Sequence, residues 1–553
     1  MEKIRIGVFI CHCGSNIGSV IECNKLAMFA RNLPNVVFTQ DNLYTCSETG
    51  LTQIRNGIVD NHLNRVLVAA CTPRTHEPLF RSICEEMGMN PYFFEFVNIR
   101  EQCSWVHQKE VEKANSKVRD LIRMGVARAS LLEPLENNIV DMLPSAVILG
   151  GGIAGMTVAL NLANQGYEVK LIERGDKLGG RLNKLYKIFP DNLDSSEILK
   201  IKEIVQGNNK IEVLLNSSLK NVEGYVGNFD VTVLKNGEVV NLKSGVIIIS
   251  TGSEVLDATK YYNYNGNNII TQQELEQKFI DNSFNSQNIV MIQCVGSRIE
   301  ERSYCSQVCC MTALKNAQVI KEKNPNANVI ILYRDLHAPG SEYENYYKTV
   351  RELGVIFIKY DLDKPPIVEN DKITINNSFL KGDLEIKHDL VVLSTPMTAN
   401  QDSKEISQML KVPLEENGFF LEAHVKLRPV DFATDGIFVC GSTKWPSSIS
   451  ETISQANAAA ARAASLLSKK EIEVAGATAF IDEEKCVGCE ICIQICPYNA
   501  IAKDEEGNVV VREVLCKGCG VCGATCTKHA IMIKHYKDDQ ILSQILSLDI
   551  GSG

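Results

Sequence analysis

The 553-residue chain is 45% hydrophobic, carries a formal net charge of −10 and holds 20 cysteines. That length calls for about three or four domains, the acidic balance argues against a nucleic-acid or anionic-membrane surface, and no apolar run reaches the roughly 18–20 residues of a membrane helix. The opening MEKIRIGVFICHCG reads as a strand rather than a secretory leader, so a cytoplasmic protein is expected, where dense cysteine means metal or redox chemistry.

Residues 1–135 read as βα-type units with a linker helix. The strands IRIGVFIC, NVVFT, RVLVAAC and YFFEFVNI alternate with helical stretches, which predicts an open parallel sheet whose carboxyl ends share one edge. Cys11, Cys13, Cys46, Cys71 and Cys103 follow strand ends. They suggest an iron–sulfur cluster on Cys13, Cys46, Cys71 and Cys103, with Cys11 as substitute or neighbour. The competing reading is cysteine as a small buried hydrophobe, which suits Cys23, Cys84 and Cys440. His12, His76 and His107 lie near in sequence but are the less favoured ligands.

Residues 136–285 begin a dinucleotide-binding domain. A strand ends at Leu149, and Gly150, Gly152 and Gly155 form G-x-G-x-x-G around Ala154, ahead of a helix whose N-terminus suits phosphate. The next strand ends in Glu173, followed by Arg174; the carboxylate is placed to bond an adenosine ribose. These residues leave FAD and NAD open. LGGRL, with Gly180 and Arg181, and VIIISTG, with Thr251 and Gly252, resemble segments of flavoproteins built from two dinucleotide folds. In residues 396–470, TDGIFVCGSTKWP resembles their second flavin motif, except that Gly441-Ser442 replaces the usual Gly-Asp.

Residues 286–395 carry their own strand–helix–strand pattern, NIVMIQC, CCMTALKNAQVIKEKN and NVIILYRD. In disulfide reductases of this layout such an inserted domain binds NAD(P)H through a glycine loop. Here the loop is gone, and Cys294, Cys305, Cys309 and Cys310 occupy the strand end and helix start, where the helix dipole favours thiolates. One [4Fe–4S] cluster is expected on these four. A dithiol–disulfide pair at Cys309–Cys310 and a zinc site are the alternatives. Lys315, farther along the helix, could reach a flavin edge and favour its anionic reduced form, or be a solvated helix lysine.

Residues 471–535 contain CVGCEICIQICP and CKGCGVCGATCT, two C-x2-C-x2-C-x3-C runs. In two-cluster ferredoxins the fourth cysteine of each run ligates the other cluster. Cys486, Cys489, Cys492 and Cys526 should therefore hold one [4Fe–4S] cluster, and Cys516, Cys519, Cys522 and Cys496 the second; paired zinc sites are the bland alternative. The tail, 536–553, has an apolar helical face (Ile541, Leu542, Ile545, Leu546) that could dock a partner or cover the ferredoxin module.

Taken together, VFICHCGSNI, VAACTPRTHEPLF, NIREQCSWVH, GGGIAGM and IQCVGS…YCSQVCCMTALKNA resemble the A-type polypeptide of heterodisulfide reductase, its flavin and iron–sulfur component, over nearly the whole chain. The resemblance implies an α/β fold: a thioredoxin-reductase-like flavoprotein core with an N-terminal α/β domain and a C-terminal two-cluster ferredoxin domain. It implies FAD, a cluster on the Cys294 set, a lysine matching Lys315 beside the flavin and four [4Fe–4S] clusters in all. Larger members carry a further ferredoxin domain inserted in the flavin domain; no additional C-x2-C run stands there, so this is a short form. The implied partners are B- and C-type subunits, a hydrogenase or formate dehydrogenase module or other donor, and ferredoxin, with a homodimer inside a larger methanogenic complex. The expected function is an oxidoreductase component for flavin-based electron bifurcation. The alternative is a non-bifurcating conduit in a quinone- or sulfur-metabolism complex, and the missing glycine loop disfavours an independent NAD(P)H:disulfide oxidoreductase.

Overall fold

Runs of Val, Ile, Phe and Ala fold as parallel strands in the computed structural model, which describes residues 3–377 and 382–548. The chain forms two compact units, one made of the first 140 residues with the chain from Glu473 onward, the other of Asp141–Ile472. In the first unit β1 (Ile6–Cys11), β2 (Val36–Asn42), β3 (Arg65–Ala70) and β4 (Phe94–Asn98) lie in the order β2-β1-β3-β4, all parallel. Both faces are covered, as a parallel sheet requires. Val8 and Ile10 pack with Ile122 and Val126 of the long helix Val111–Ala129, while Phe9 and Val68 meet Ile54 and Phe80 on the other side.

The cysteine-rich module of this unit is two pseudo-repeats, each with a five-residue helix, Ile491–Ile495 and Val521–Thr525. Two small antiparallel pairs complete it: Ala479–Ile481 with Ile531–Ile533, and Ile501–Lys503 with Val509–Val511. Its apolar centre is slight, chiefly Ala479, Ile501, Val509, Ile531 and Ile533, and the cysteines pack against it. A module this small needs an inorganic or covalent staple.

A buried polar knot joins that module to the N-terminal sheet. Arg128 pairs with Glu95 and donates to the carbonyl oxygen of His535 at 2.7 Å. The His535 ring meets Tyr92 edge-on at 5.6 Å, and the Tyr92 hydroxyl accepts from the N–H of Gly476. The tail is helical. Its helix, Asp538–Leu546, is anchored by polar contacts: Gln540 donates to Leu131 O at 2.9 Å and Lys537 pairs with Glu133. Ile541, Leu542, Ile545 and Leu546 remain largely exposed, while the helix as a whole packs beside the helix Val111–Ala129; the last five residues of the expected tail segment lie outside the described residues.

In the second unit one five-stranded parallel sheet runs Ile211–Leu214, Glu168–Ile172, Ser145–Leu149, Val246–Ile249, Ile437–Val439. Chain order reverses beside Ser145–Leu149, and ligands of such sheets sit at that reversal. A second parallel sheet, inserted between its fourth and fifth strands, runs Ile269–Thr271, Leu390–Leu393, Asn288–Ile292, Asn328–Tyr333, Ile356–Lys359. The helix Cys309–Lys323 buries Met311, Leu314 and Ile320 against this insert.

The knot makes the first unit acid-sensitive. Burial, with Arg128 and Arg81 nearby, pushes His535 down to about 3. Between the ordinary imidazole range and that value the unfolded chain binds a proton that the folded chain refuses, so stability falls as pH drops from about 6.5 toward 3, by up to ~1.4 kcal/mol per pH unit. His535→Asn, whose side chain tolerates the left-handed backbone there (φ 72°), should flatten this dependence in urea unfolding followed between pH 4 and 7. An unchanged acid slope would remove His535 from the account.

Candidate functional site

A cavity of about 760 Å³ opens at the reversal point of the first sheet in the second unit. It is lined by Gly150, Gly152 and Ala154, by Glu173, Arg174, Gly180 and Arg181, and by Thr251, Gly252 and Ser442. Gly150 has φ 107°, and any side chain there would strike Ser250. A side chain at Gly155 would overlap the carbonyl oxygen of Gly150, whereas nothing lies within 4 Å of the Cβ position at Gly152. The loop is thus tight where helix meets strand and open where a pyrophosphate would rest. Glu173 braces the loop, each carboxylate oxygen accepting a backbone N–H at 2.7 Å, from Gly151 and from Gly175. Arg174 pairs with Asp402 and, more loosely, with Glu254. Gly441, at φ 79°, donates to Gln455 and lies against Ala154.

The helices Gln272–Ile280 and Cys309–Lys323 beside the inserted sheet also contribute: Gln272, Glu276, Cys309, Thr312 and Lys315, with Thr395, line the same cavity. Lys315 is not a solvated helix lysine. It is 2% exposed, pairs with Glu276, itself 1% exposed, at 2.6 Å, and donates to Lys187 O at 3.1 Å. Burial lowers its pKa and Glu276 opposes that. Nothing in the sequence around TQQELEQKF singles out Glu276, because its partner lies on another helix.

Cys294, Cys305, Cys309 and Cys310 lie around the start of the helix Cys309–Lys323, close enough to feel one another's charge, although among the described residues no group of three or more His, Cys, Asp or Glu side chains stands in metal-holding geometry. Cys294 takes a left-handed conformation (φ 59°) as it leaves its strand. Burial pushes Cys309 and Cys310 up to about 12, and each also feels Cys294 and Cys305. Arg298 and Arg334 draw Cys294 the other way. The neighbouring Gln293 is fully buried with neither amide atom partnered. Four neighbouring thiols flanked by two arginines suit a thiolate-bound body.

At the carboxyl edge of β1, β2 and β3 the thiols of Cys11, Cys13, Cys46 and Cys71 form a second group. Cys71 is pushed up to about 11, first by burial, and feels Cys13, Cys11 and Cys46; Cys46 feels Cys11 and Cys13. Thr45 and Cys13 point backbone N–H groups at the Cys11 sulfur, 3.4 and 3.3 Å away. The side chain of Asn42 and the hydroxyl of Thr45 are buried and unpartnered. Cys103 does not join them. Its thiol is fully buried and donates to Ala114 O under the helix Val111–Ala129, because the turn Arg100–Ser104 winds as a π-helix and rotates it into the core. What that turn delivers is Arg100, 3.6 Å from the Cys13 sulfur. His12 pairs with Asp41 and His107 with Glu110.

In the ferredoxin-like module one hollow is lined by Cys486, Cys489, Cys492 and Cys526, the other by Cys496, Cys516, Cys519 and Cys522. These are the crosswise sets that the spacing predicts. Backbone N–H groups of Ala479, Ala500 and Ala530 approach the sulfurs of Cys516, Cys496 and Cys526, each at 3.3 Å, which favours the thiolate form.

Comparison with known proteins bears on both units. Residues 144–292 match the pyridine nucleotide-disulphide oxidoreductase family and residues 479–502 the 4Fe-4S binding domain. The chain is 36% identical to the A-type component of the H(2):CoB-CoM heterodisulfide,ferredoxin reductase of Methanothermobacter thermautotrophicus, over 99% of this chain and 97% of that one. It is 37% identical to the second of the A-type iron-sulfur components of CoB–CoM heterodisulfide reductase in Methanopyrus kandleri, over 92% and 93%. The first alignment spans 645 positions against 553 residues here, so at least 92 positions of that relative have no counterpart. Among solved structures, thioredoxin reductase of T. acidophilum aligns with 58% of this chain and 98% of its own at 15% identity and a TM-score of 0.42.

Gly155→Ala tests the cradle. The added methyl forces helix and strand apart, a cost of ~1–3 kcal/mol, and the variant should lose its flavin on gel filtration. The iron absorbance of the ferredoxin-like module, which belongs to the other unit, should persist.

Proposed function

The chain belongs to the heterodisulfide reductase family, as one of its A-type members, and we propose that it divides the electron pair of a two-electron donor, one electron passing toward ferredoxin and the other toward a disulfide-reducing partner. Members of this family are flavin and iron–sulfur oxidoreductase components. The observation that carries the proposal is Cys309: its residue lines the flavin cavity and belongs to the thiol quartet that stands where a nicotinamide-binding glycine loop would be. A flavin there faces a one-electron carrier instead of a hydride donor.

FAD, when bound, supplies the exchange between two-electron and one-electron transfer. Gly150, Gly152 and the N-terminus of the helix Ile153–Asn164 would hold its pyrophosphate, and Thr251, Gly252, Gly441 and Ser442 the opposite side. Lys315, fixed by Glu276 and Lys187 O, keeps an N–H available to the cavity. In this reading the thiols would hold four [4Fe–4S] clusters: two in the ferredoxin-like module, one on Cys294, Cys305, Cys309 and Cys310, and one on Cys11, Cys13, Cys46 and Cys71. The last set replaces the expected one containing Cys103. Cys440 stays a packing residue, fully buried.

The partners follow from the relatives. One is named for an H(2):CoB-CoM heterodisulfide,ferredoxin reductase and another for a ferredoxin/F(420)H(2)-dependent CoB-CoM heterodisulfide reductase. We place this chain in a comparable complex, with B- and C-type subunits for heterodisulfide chemistry, a hydrogenase, formate dehydrogenase or other two-electron donor, and a homodimeric arrangement. Among the described residues no helix is long and apolar enough to cross a membrane.

Anaerobically purified protein should contain about sixteen irons per FAD, four per cubane cluster. Cys309→Ser should lose about four while keeping its flavin, Cys13→Ser about four, and Cys103→Ser none. About eight irons in the wild type would leave only the ferredoxin-like clusters and turn the remaining cysteines into redox thiols. Division of the pair further requires that the flavin's second electron be released more readily than its first when its two one-electron potentials are titrated. The opposite order would make the chain a conduit.

A further inference from the structure

The cavity wall holds three enclosed ionisable groups whose charges do not cancel. Lys315 and Glu276 form a buried pair at 2.6 Å, and such a pair is neutral as a whole. Arg181 has no carboxylate within ion-pair distance among the described residues; its nearest polar partner is the Ser253 hydroxyl, 3.5 Å from Nη1. It retains some accessible surface and lines the cavity. Burial lowers its pKa, with Cys309 and Glu276 opposing, yet a guanidinium stays protonated in proteins. An enclosed charge without a counterion is costly, and it is tolerable where an anion arrives to meet it.

The other charges nearby are already matched. On Arg181's own segment Lys187 pairs with Glu322 at 2.9 Å, and Lys184 is exposed to solvent. Toward the thiol quartet, Arg298 and Arg334 flank Cys294, and Arg298 also feels Asp335. The quartet therefore has cations of its own, and Lys315 has Glu276.

We infer that Arg181, rather than Lys315, is the residue that holds negative charge on the flavin, so that the flavin takes up two electrons with one proton instead of two. The inference rests on the flavin reading of this cavity. Lys315, paired with Glu276, is then a group that can give up or regain a proton without changing the net charge of the wall. Arg181 supplies the standing charge that makes the second flavin proton unnecessary.

The test is the pH dependence of the flavin midpoint potential, titrated with dithionite on the full FAD- and iron-loaded protein between pH 5.5 and 8.5. One proton per two electrons gives about 30 mV per pH unit and two protons about 59 mV. Wild type should keep the shallow slope down to pH 5.5, and so should Arg181→Lys and Glu276→Gln, whereas Arg181→Gln should turn to the steep slope at the acidic end of the range, where a reduced flavin without a cation beside it takes up its second proton. If Arg181→Gln does not retain flavin, Arg181→Met, which keeps the bulk of the side chain without its charge, should show the same acidic steepening. A slope that stays shallow to pH 5.5 in both uncharged variants, or a change confined to the cluster potentials, would overturn the inference. Wild-type protein without flavin in this cavity would instead overturn the reading on which it rests.

Discussion

A parallel strand hands its chain to a connection that must climb back over the sheet, so every carboxyl end opens on the same edge. Each of the three parallel sheets among the described residues opens on such an edge. At one, Gly152 faces open space where a pyrophosphate would rest. At the second, Cys294 leaves its strand where a sister fold would place a glycine loop, and at the third Cys11, Cys13, Cys46 and Cys71 converge. The same backbone geometry serves a phosphate or a set of thiols, and only the side chains at the edge decide which.

Thiols gathered in this way are poor ligands until something deprotonates them. Burial pushes Cys309 and Cys310 to about 12 and Cys71 to about 11, so an empty site holds neutral thiols and loading it releases protons. The protein eases that step with local positive charge rather than solvent. Arg298 and Arg334 stand near Cys294, Arg100 near Cys13, and backbone N–H groups near Cys496, Cys516 and Cys526. A cluster held at these thiols would meet the same positive charges that ease the loss of their protons.

The elements that the sequence reveals are those set by local spacing. The C-x2-C-x2-C-x3-C runs specify the crosswise hollows because three ligands lie on one short loop. The G-x-G-x-x-G loop specifies the cradle because each glycine answers a steric demand within a few residues. Residues 1–108 read as alternating strands and helices because parallel strands buried on both faces are apolar almost throughout. Cys103 misled because its position after β4 matches the other thiols, and only the π-helical winding of Arg100–Ser104 turns it inward. Glu276 and the tail's polar anchor Gln540 were invisible for the opposite reason. Each looks like an ordinary surface residue until a partner far away in sequence closes over it.

The knot of Arg128, Glu95, His535 and Tyr92 bears on how electrons move within the first unit. A ferredoxin domain on a loose tether acts as a swinging carrier, and its turnover follows diffusion and linker length. Here the chain around the eight thiols is clasped to the N-terminal sheet by a buried guanidinium and a backbone-to-phenol bond. Any current between the two thiol regions of that unit must therefore tunnel across a fixed gap, and its rate is set by distance and driving force rather than by motion of the domain.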